Sequence, residues 1–266
     1  MTSEYKRIAG FVLILLSFFI YLFVAVYSKY NPNLVIYFNY IAITGCYVAV
    51  LVAMWKYLDN LYSLHFDFWS LLFLVVSGTI FGFQTGIKRE IYFQVIIWIA
   101  SLGILYFLVK YRNKIPKTNF YWIPITLFGS LATSLIIAEI ESTQPQLWLE
   151  GSAYITKNVL LVFLRSFLYQ FSSIAVAEEF IFRGFLWYYL YSLGWDNNKV
   201  FWGQAIIFWL FHASSIVSPI TFFIVIPIGT LLFSLLVKYS KQLFPSILAH
   251  TLVNSLTNLF LYILLR

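Results

Sequence analysis

The chain has 266 residues, of which 62% are hydrophobic and only 10% are charged, and its mean hydropathy is +0.85. Soluble globular domains carry about 25% charged residues, so this composition excludes an ordinary soluble fold and predicts a polytopic membrane protein. The net charge is +7, but the basic residues lie in short segments between apolar runs, where they act as topology signals. This distribution argues against a nucleic-acid partner, and the lipid bilayer is the expected environment.

Nine apolar runs follow one another along the chain. A helix needs about 20 apolar residues to cross a bilayer, so these runs predict an all-α transmembrane bundle of eight or nine spans, with nine favoured. The first run is longer than a usual signal-peptide core and is interpreted as a retained helix. The predicted spans are 8–28, 34–54, 68–87, 91–109, 120–138, 156–190, 200–217, 219–237 and 246–265.

The sixth run is too long for one straight span. From Tyr154 to Leu193 a continuous helix would measure about 60 Å at 1.5 Å per residue, about twice the ~30 Å hydrocarbon core. We therefore expect this segment to tilt, to extend beyond the membrane or to break. Gly184 and Gly194 are the weakest points in it.

Loop charges predict an orientation. A cytoplasmic N-terminus puts ten basic residues inside and five outside, which agrees with the positive-inside rule and, with nine spans, puts the C-terminus outside. The segment after span five is acidic and is interpreted as an external loop that holds Glu139, Glu141 and Glu150. The inside set is Lys6, Arg7, Lys56, Lys110, Arg112, Lys114, Lys117, Lys199, Lys238 and Lys241, and the outside set is Lys29, Lys88, Arg89, Lys157 and Arg266.

Polar residues at membrane depth are concentrated in the last four spans. Spans one to five carry few of them, whereas spans six to nine carry an acidic pair, two of the three histidines and Asn254. We therefore divide the chain into transmembrane spans of unassigned role, 1–150, and a candidate catalytic part, 151–266. The lone cysteine, Cys46, lies in an apolar span and is expected to be a core residue.

Three charges in the sixth run need an explanation. A charge at mid-bilayer depth costs about 2.5–3.5 kcal/mol on insertion scales, and intramembrane ionisable groups usually mark functional sites. Glu179 and Arg183 are four residues apart, so they share a helix face and can pair. One arginine neutralises one carboxylate, which leaves Glu178 as a candidate general base. A purely structural ion pair is the alternative interpretation for Glu179.

The histidines add to this pattern. His212 lies in span seven and His250 in span nine, whereas His65 lies in a loop and is expected to have no part in chemistry. His250 and Asn254 project from one helix face and could together stabilise a developing oxyanion. Asn258, one turn later, is expected to make an interhelical hydrogen bond. With a cytoplasmic N-terminus, these groups are expected to converge in a cavity open to the cytoplasmic leaflet.

These motifs together resemble the CAAX protease and bacteriocin-processing family of intramembrane endopeptidases (CPBP, or Abi). That family is marked by E-E-x-x-x-R, then F-x-x-x-H, then H-x-x-x-N, and the resemblance covers roughly residues 150–266. Each motif occurs in the family's order on its own predicted span. They are Glu178-Glu179-x-x-x-Arg183, Phe208-x-x-x-His212 and His250-x-x-x-Asn254.

The resemblance implies a peptidase that hydrolyses a peptide bond in a membrane-anchored peptide or protein. A prenylated CAAX-type tail, a leader peptide and a bacteriocin-like peptide are all compatible substrates. The implied roles are general base on a water for Glu178, orientation of that water for His212, oxyanion stabilisation for His250 and Asn254, positional support for Glu179 and Arg183, and packing of the site wall for Phe208.

Metal dependence is an open question at this stage, because the family has also been described as metal-dependent. Glu178, His212 and His250 are ligand types that zinc takes. No H-E-x-x-H helix is present, and a metal-free glutamate mechanism is favoured.

Two other classes of function compete with a peptidase. Buried Glu, Arg and His also mark ion pathways, so a proton- or ion-coupled transporter is one alternative. The absence of a recognisable inverted repeat counts against it. A non-catalytic immunity or binding protein that kept the site for structure is the other.

Overall fold

The computed structural model describes residues 32–84, 91–143, 158–172 and 175–265, which are largely helical and include no strand. The prediction of an all-α membrane bundle is confirmed. The predicted first span lies outside the described residues. Spans two to five correspond to α1 (Pro32–Lys56), α2 (Phe68–Gln84), α3 (Ile91–Lys110) and α4 (Ile123–Ser142), and a 3-10 turn, Phe120–Trp122, precedes α4.

The sixth predicted span is divided, as its length required. The axis of α5 (Val159–Ser172) differs by 43° from that of the helix 175–192. That second helix continues past Gly184, but its α-helical hydrogen bonding is interrupted there, because Gly184 lies in a π-helical segment. Gly194, with a φ of +85°, lies just beyond its end. The second helix consists of α6 (Ala175–Glu179), a π-helical segment (Phe180–Leu186) and α7 (Trp187–Ser192).

The seventh predicted span is shorter than expected. Helix α8 (Asn197–Phe211) begins at an N-cap, where the Asp196 carboxylate accepts hydrogen bonds from the backbone N–H groups of Asn198 and Lys199. These hydrogen bonds lower the pKa of the Asp196 carboxyl, and the one from Lys199 has the larger effect. At 1.5 Å per residue, α8 measures about 22 Å and stops short of a ~30 Å core. Its C-terminal end is followed by a 3-10 turn, Ala213–Val217.

Two further long helices complete the chain. A π-helical segment, Thr221–Val225, leads into α9 (Ile226–Ser240), and α10 (Phe244–Leu264) follows after a short connection. Within the described ranges, five helices are long and apolar enough to span a membrane, or up to seven if each of two bent pairs counts as one span. The count of eight or nine spans is therefore not confirmed.

Buried apolar residues from both predicted parts of the chain form one core. Tyr47 and Phe66 belong to the same cluster as Phe180 and Ile247. Helix α10 packs most extensively against α4 and also contacts α5 and α9. Because the core is shared, the division near residue 150 concerns the roles of the two parts, and it stays a prediction.

Four connecting segments meet on one face of the bundle. The Gln242 side chain accepts a hydrogen bond from the Asn119 backbone N–H at 2.8 Å and donates one to the Lys117 carbonyl at 2.8 Å. Lys238 Nζ donates to Asn198 Oδ1 at 2.9 Å, so α8 begins at the level where α9 ends. The four segments are 57–67, 111–119, 193–199 and 238–243.

Among the described residues this face carries most of the positive charge, and we call it the basic face. Of the ten Lys and Arg among the described residues, eight lie on it, and the other two are Arg165 in α5 and Arg183. Helices α4 and α8 end at the opposite face, and Glu139 and Glu141 lie near it in the last turn of α4. The eight are Lys56, Lys110, Arg112, Lys114, Lys117, Lys199, Lys238 and Lys241.

Candidate functional site

Glu179 is the centre of a buried polar cluster. Its side chain has no exposed surface, and its Oε1 lies 3.1 Å from Arg183 Nη1 and 2.8 Å from His250 Nδ1. The Ser246 hydroxyl donates a hydrogen bond to Oε2 of the same carboxylate. The pairing of Glu179 with Arg183 that the four-residue spacing predicted is therefore confirmed. Ser246 was not anticipated, although its position four residues before His250 was a usable signal.

Arg183 is held by an ion pair and by aromatic rings. Its guanidinium carbon lies 4.1 Å from the centre of the Phe208 ring and 5.7 Å from that of Phe233. A desolvated cation over a ring face gains about 2 kcal/mol or more. The side chain is fully buried, so the ion pair and the ring contacts stabilise its charge in place of water. Phe208 packs in the wall of the site, as expected.

Glu178 has different surroundings from its neighbour. Its side chain is 22% exposed, and its Oε2 lies 3.7 Å from His250 Nε2, which is beyond direct hydrogen-bond distance. Among the described residues it has no hydrogen bond and no ion pair with arginine. The two adjacent carboxylates therefore differ as the charge argument predicted: one is saturated by partners, and the other remains available.

His250 joins the two carboxylates. Its ring stacks on Phe233, with centroids 4.4 Å apart and planes at 20°. Because an ionised carboxylate only accepts hydrogen bonds, the contact with Glu179 assigns a hydrogen to Nδ1. Nε2 is then the nitrogen that faces Glu178. The geometry fixes the orientation of the imidazole from one side and leaves its other nitrogen beside the free carboxylate.

His212 approaches the cluster from the end of α8. It is the C-cap of that helix, and its Nδ1 lies 2.9 Å from the Phe208 carbonyl oxygen. A hydrogen on Nδ1 donated to that carbonyl leaves Nε2 as an acceptor. The His212 ring packs on Phe208 at 4.5 Å, and Phe208 is 6.2 Å from the His250 ring. Both histidines thus pack near the same phenyl ring.

A cavity of about 290 Å³ connects the predicted residues of α8 and α10. His212, His250 and Asn254 all line it, together with Gln170 of α5. Asn254 Nδ2 donates to Gln170 Oε1 at 3.0 Å, a contact that sequence reasoning missed. Asn258 donates to Ser166 Oγ at 2.8 Å, so the predicted interhelical hydrogen bond is confirmed.

The cavity extends away from the basic face. Its lining runs from His250, near the start of α10, to Glu141 in the last turn of α4 and to Ser215 and Thr221 beyond α8. We expected a cavity open to the cytoplasmic leaflet. The lining extends away from the end of the bundle where α10 begins, and the side of the membrane that this end faces stays a prediction. The short α8 is the physical reason for the direction of the lining, because its early end leaves room for the cavity on the opposite side. Irregular backbone at membrane depth is tolerated where it lines such a space.

The basic-face side of the cluster is closed by the segment 57–67. Asp67 has no exposed surface, and its carboxylate accepts hydrogen bonds from Trp69 N and Ser70 N at the start of α2, both at 3.2 Å. Its other oxygen accepts from Phe244 N at the start of α10, at 3.1 Å. One side chain therefore caps two helices and holds the first turn of α10, which carries Ser246, against α2.

His65 belongs to the same closure. The distance from His65 Nδ1 to the Arg183 carbonyl oxygen is 3.4 Å. The His65 carbonyl oxygen accepts a hydrogen bond from the Leu243 backbone N–H at 2.9 Å. The sequence placed it in a loop without a role in chemistry. In the structure His65 is buried against the helix 175–192, where its contacts are those of a packing residue.

Glu141 is the polar residue that the sequence misplaced. It is only 8% exposed, lies within α4 rather than in an external loop, and lines the cavity. Thr221 Oγ1 donates a hydrogen bond to its Oε1 at 3.5 Å. The available signal was periodicity, since Glu141 is four residues after Ile137 and seven after Ser134, which are both buried.

The zinc ligand set considered above does not form here. Within the described part of the chain, no three His, Cys, Asp or Glu side chains are grouped as ligands of one ion. We therefore derive no step through a metal.

The fold and the site define a class: a helical membrane bundle with a buried Glu–His–Arg cluster beside a polar cavity. Residues 158–256 match the profile of the Rce1-like family, described as type II CAAX prenyl endopeptidase Rce1-like. This match confirms the predicted resemblance for that part of the chain, and the matched family is one of proteases, which are hydrolases. No curated protein and no solved structure matches the chain.

Proposed function

We propose that this protein is an intramembrane endopeptidase in which Glu178 activates a water molecule without a metal. The observation that supports this most strongly is the contrast between two adjacent carboxylates. Glu179 is fully buried with three partners, whereas Glu178 is 22% exposed and faces His250 Nε2. A general base must be reachable by water and free to accept a proton.

The proposed reaction balances with groups of this chain. Glu178 accepts a proton from water while the water oxygen bonds to the scissile carbonyl carbon. The carbonyl oxygen becomes an oxyanion. Asn254 Nδ2 carries two hydrogens, one of which is donated to Gln170, and the other stabilises this oxyanion. The C–N bond then breaks, and Glu178 returns its proton to the amine leaving group. The products are a free carboxylate and a free amine.

The two histidines orient the reaction. His250 is fixed by Glu179 and Phe233, and it presents Nε2 to the space beside Glu178. His212, which packs on Phe208, presents its Nε2 to the cavity and accepts a hydrogen bond from the attacking water. Because the rings are oriented by buried contacts before substrate binds, little reorganisation is needed in the transition state.

The distribution of charge bears on the substrate. The positive-inside rule favours a cytoplasmic basic face, and the cavity extends toward the opposite, external face. This orientation keeps the N-terminus cytoplasmic and favours a leader peptide or a bacteriocin-like peptide on the external side. A prenylated tail on the cytoplasmic side fits this arrangement less well.

Cleavage of membrane-anchored peptides by the purified, reconstituted protein tests this proposal. We expect Glu178→Gln to lower kcat by about 10²–10⁴-fold, the usual contribution of a general base, and Glu139→Gln on the exposed side of α4 to leave it unchanged. Full activity in Glu178→Gln would refute the mechanism. Ion flux without cleavage would favour the carrier, and stoichiometric metal whose removal stops cleavage would favour a metalloenzyme.

A further inference from the structure

The carboxylate of Glu141 has no role in the proposed reaction, yet it lies in the same cavity. It is more than nine-tenths buried, with 8% of its surface exposed. Its hydrogen bond from Thr221 is long, at 3.5 Å, although a carboxylate can accept about four. Across the described ranges, no Lys, Arg or His nitrogen lies within ion-pair distance of it. A buried acid that is so poorly satisfied, and that lines a cavity, has capacity for a ligand.

The surroundings of Glu141 favour a cationic ligand. The groups that share its part of the cavity are neutral hydrogen-bonding side chains and apolar walls, including Ser215, Thr221 and Val225. In such surroundings a substrate ammonium or guanidinium group would gain a charge-assisted hydrogen bond. An anionic group would face repulsion from the carboxylate.

The register of two helices gives the distance from this carboxylate to the reaction centre. Helices α4 and α10 both begin at the basic face, and Ser134 Oγ lies 3.3 Å from the Val253 carbonyl. Glu141 is seven residues beyond Ser134, and His250 is three residues before Val253. At 1.5 Å per residue the two levels differ by about 15 Å. An extended peptide, which rises about 3.3 Å per residue, covers this distance in roughly four or five residues.

We infer that Glu141 is a specificity-determining residue that binds a lysine or arginine side chain of the substrate, about four or five residues from the scissile bond. This inference rests on the proposed peptidase function. It assigns the far end of the cavity to substrate recognition and the end at His250 to chemistry. It also gives the peptidase a selection rule, because an apolar membrane segment with one basic residue at that spacing would be preferred.

Matched peptides test the inference. An internally quenched apolar peptide that the enzyme cuts is prepared with lysine, norleucine or glutamate at each position up to six residues on either side of the cleaved bond. We expect lysine to raise kcat/KM at least tenfold over norleucine at a single position, chiefly through KM. Glu141→Gln should remove that preference, and Glu141→Lys should transfer it to the glutamate peptide.

The control is Glu139→Gln, which removes the same charge two residues away on the exposed side of α4 and should keep the lysine preference. Equal kcat/KM values for lysine and norleucine at every position, or a preference that survives in Glu141→Gln, would overturn the inference.

A binding measurement separates this inference from the proposed function. If the wild type cuts no peptide, the peptidase proposal fails by itself. Fluorescence anisotropy of the same labelled peptides on nanodisc-embedded Glu178→Gln then reports recognition alone. We expect at least tenfold tighter binding of the lysine peptide, lost in Glu178→Gln/Glu141→Gln. Equal affinities for the lysine and norleucine peptides, or no binding of either, would contradict a cation subsite at Glu141.

Discussion

At the scale of single residues, Glu178 and Glu179 show how one helix turn can hold two carboxylates with different tasks. Glu179 faces inward to Arg183, Ser246 and His250, all of which are buried. Glu178, one position earlier and about 100° around the helix, reaches partly exposed space. The difference is one of direction rather than chemistry, since the two side chains are identical.

This difference predicts opposite behaviour for two isosteric variants. Glu179→Gln leaves the buried guanidinium of Arg183 without its counter-charge, and breaking a buried ion pair costs about 3–5 kcal/mol. We expect a clear fall in the thermal midpoint of the detergent-solubilised protein. Glu178→Gln removes a carboxylate that has no ion pair with Arg183, and its thermal midpoint should match that of the wild type while activity is lost. Equal midpoints for the two variants would contradict this division.

At the scale of secondary structure, Asp67 links elements from the two halves of the chain. It caps α2 with one oxygen and accepts the Phe244 N–H with the other, across 177 residues of sequence. Loss of an N-cap costs about 0.5–2 kcal/mol, and here two helix starts share one cap. Because α10 carries His250, this cap also sets the position of the site.

We therefore expect Asp67→Ala to lower both stability and activity. The midpoint of thermal unfolding should fall by more than that of a single-cap variant, and peptide cleavage should decrease without any change in the residues that perform it. The control is Asp59→Ala, which removes a carboxylate that is 80% exposed and pairs with Lys114. Surface pairs contribute about 0–1 kcal/mol, so that variant should resemble the wild type. Indistinguishable midpoints for the two would argue against the shared cap.

Sequence reasoning succeeded where contacts are local and failed where they are distant. Hydropathy located α1 to α4 and α10, and α9 together with the π-helical segment before it, to within four residues. Helical spacing gave the contact of Glu179 with Arg183. The capping role of Asp67 depends on a loop meeting a helix start far along the chain, which no periodicity records. Glu141 was misplaced because a charged residue near the end of an apolar run indicates the membrane boundary but does not show whether the helix has already ended there.

At the scale of the whole molecule, charge is unevenly distributed over the part of the bundle that the structure describes. The eight cations of the basic face lie at one end, and the cavity extends toward the other. The interaction of these cations with anionic lipid contributes about 1 kcal/mol each near a cytoplasmic surface. With the basic face in the cytoplasm, as we propose, the substrate would come from the external side.

Single-cysteine labelling measures this orientation. The only native cysteine, Cys46, is 3% exposed, so added cysteines can be read against a low background. With the basic face in the cytoplasm, a membrane-impermeant maleimide should label Ile216→Cys in intact cells and Lys114→Cys only after permeabilisation. Both native side chains are exposed, at the two opposite ends of the bundle. The reverse labelling pattern would place the cavity on the cytoplasmic side.

The π-helical segment Phe180–Leu186 has a consequence for how this region tolerates change in length. A π turn is closed by i→i+5 hydrogen bonds and holds one residue more than an α turn. Because the wider turn absorbs that extra residue, deleting one residue there and restoring an α-helix would leave the facing of α7 relative to Glu178 nearly unchanged. Trp187 and Leu190, now 2% and 1% exposed, would then stay in the core. A one-residue deletion should therefore be better tolerated within 180–186 than in the α-helical turns of α10, where it would rotate all later side chains by about 100°.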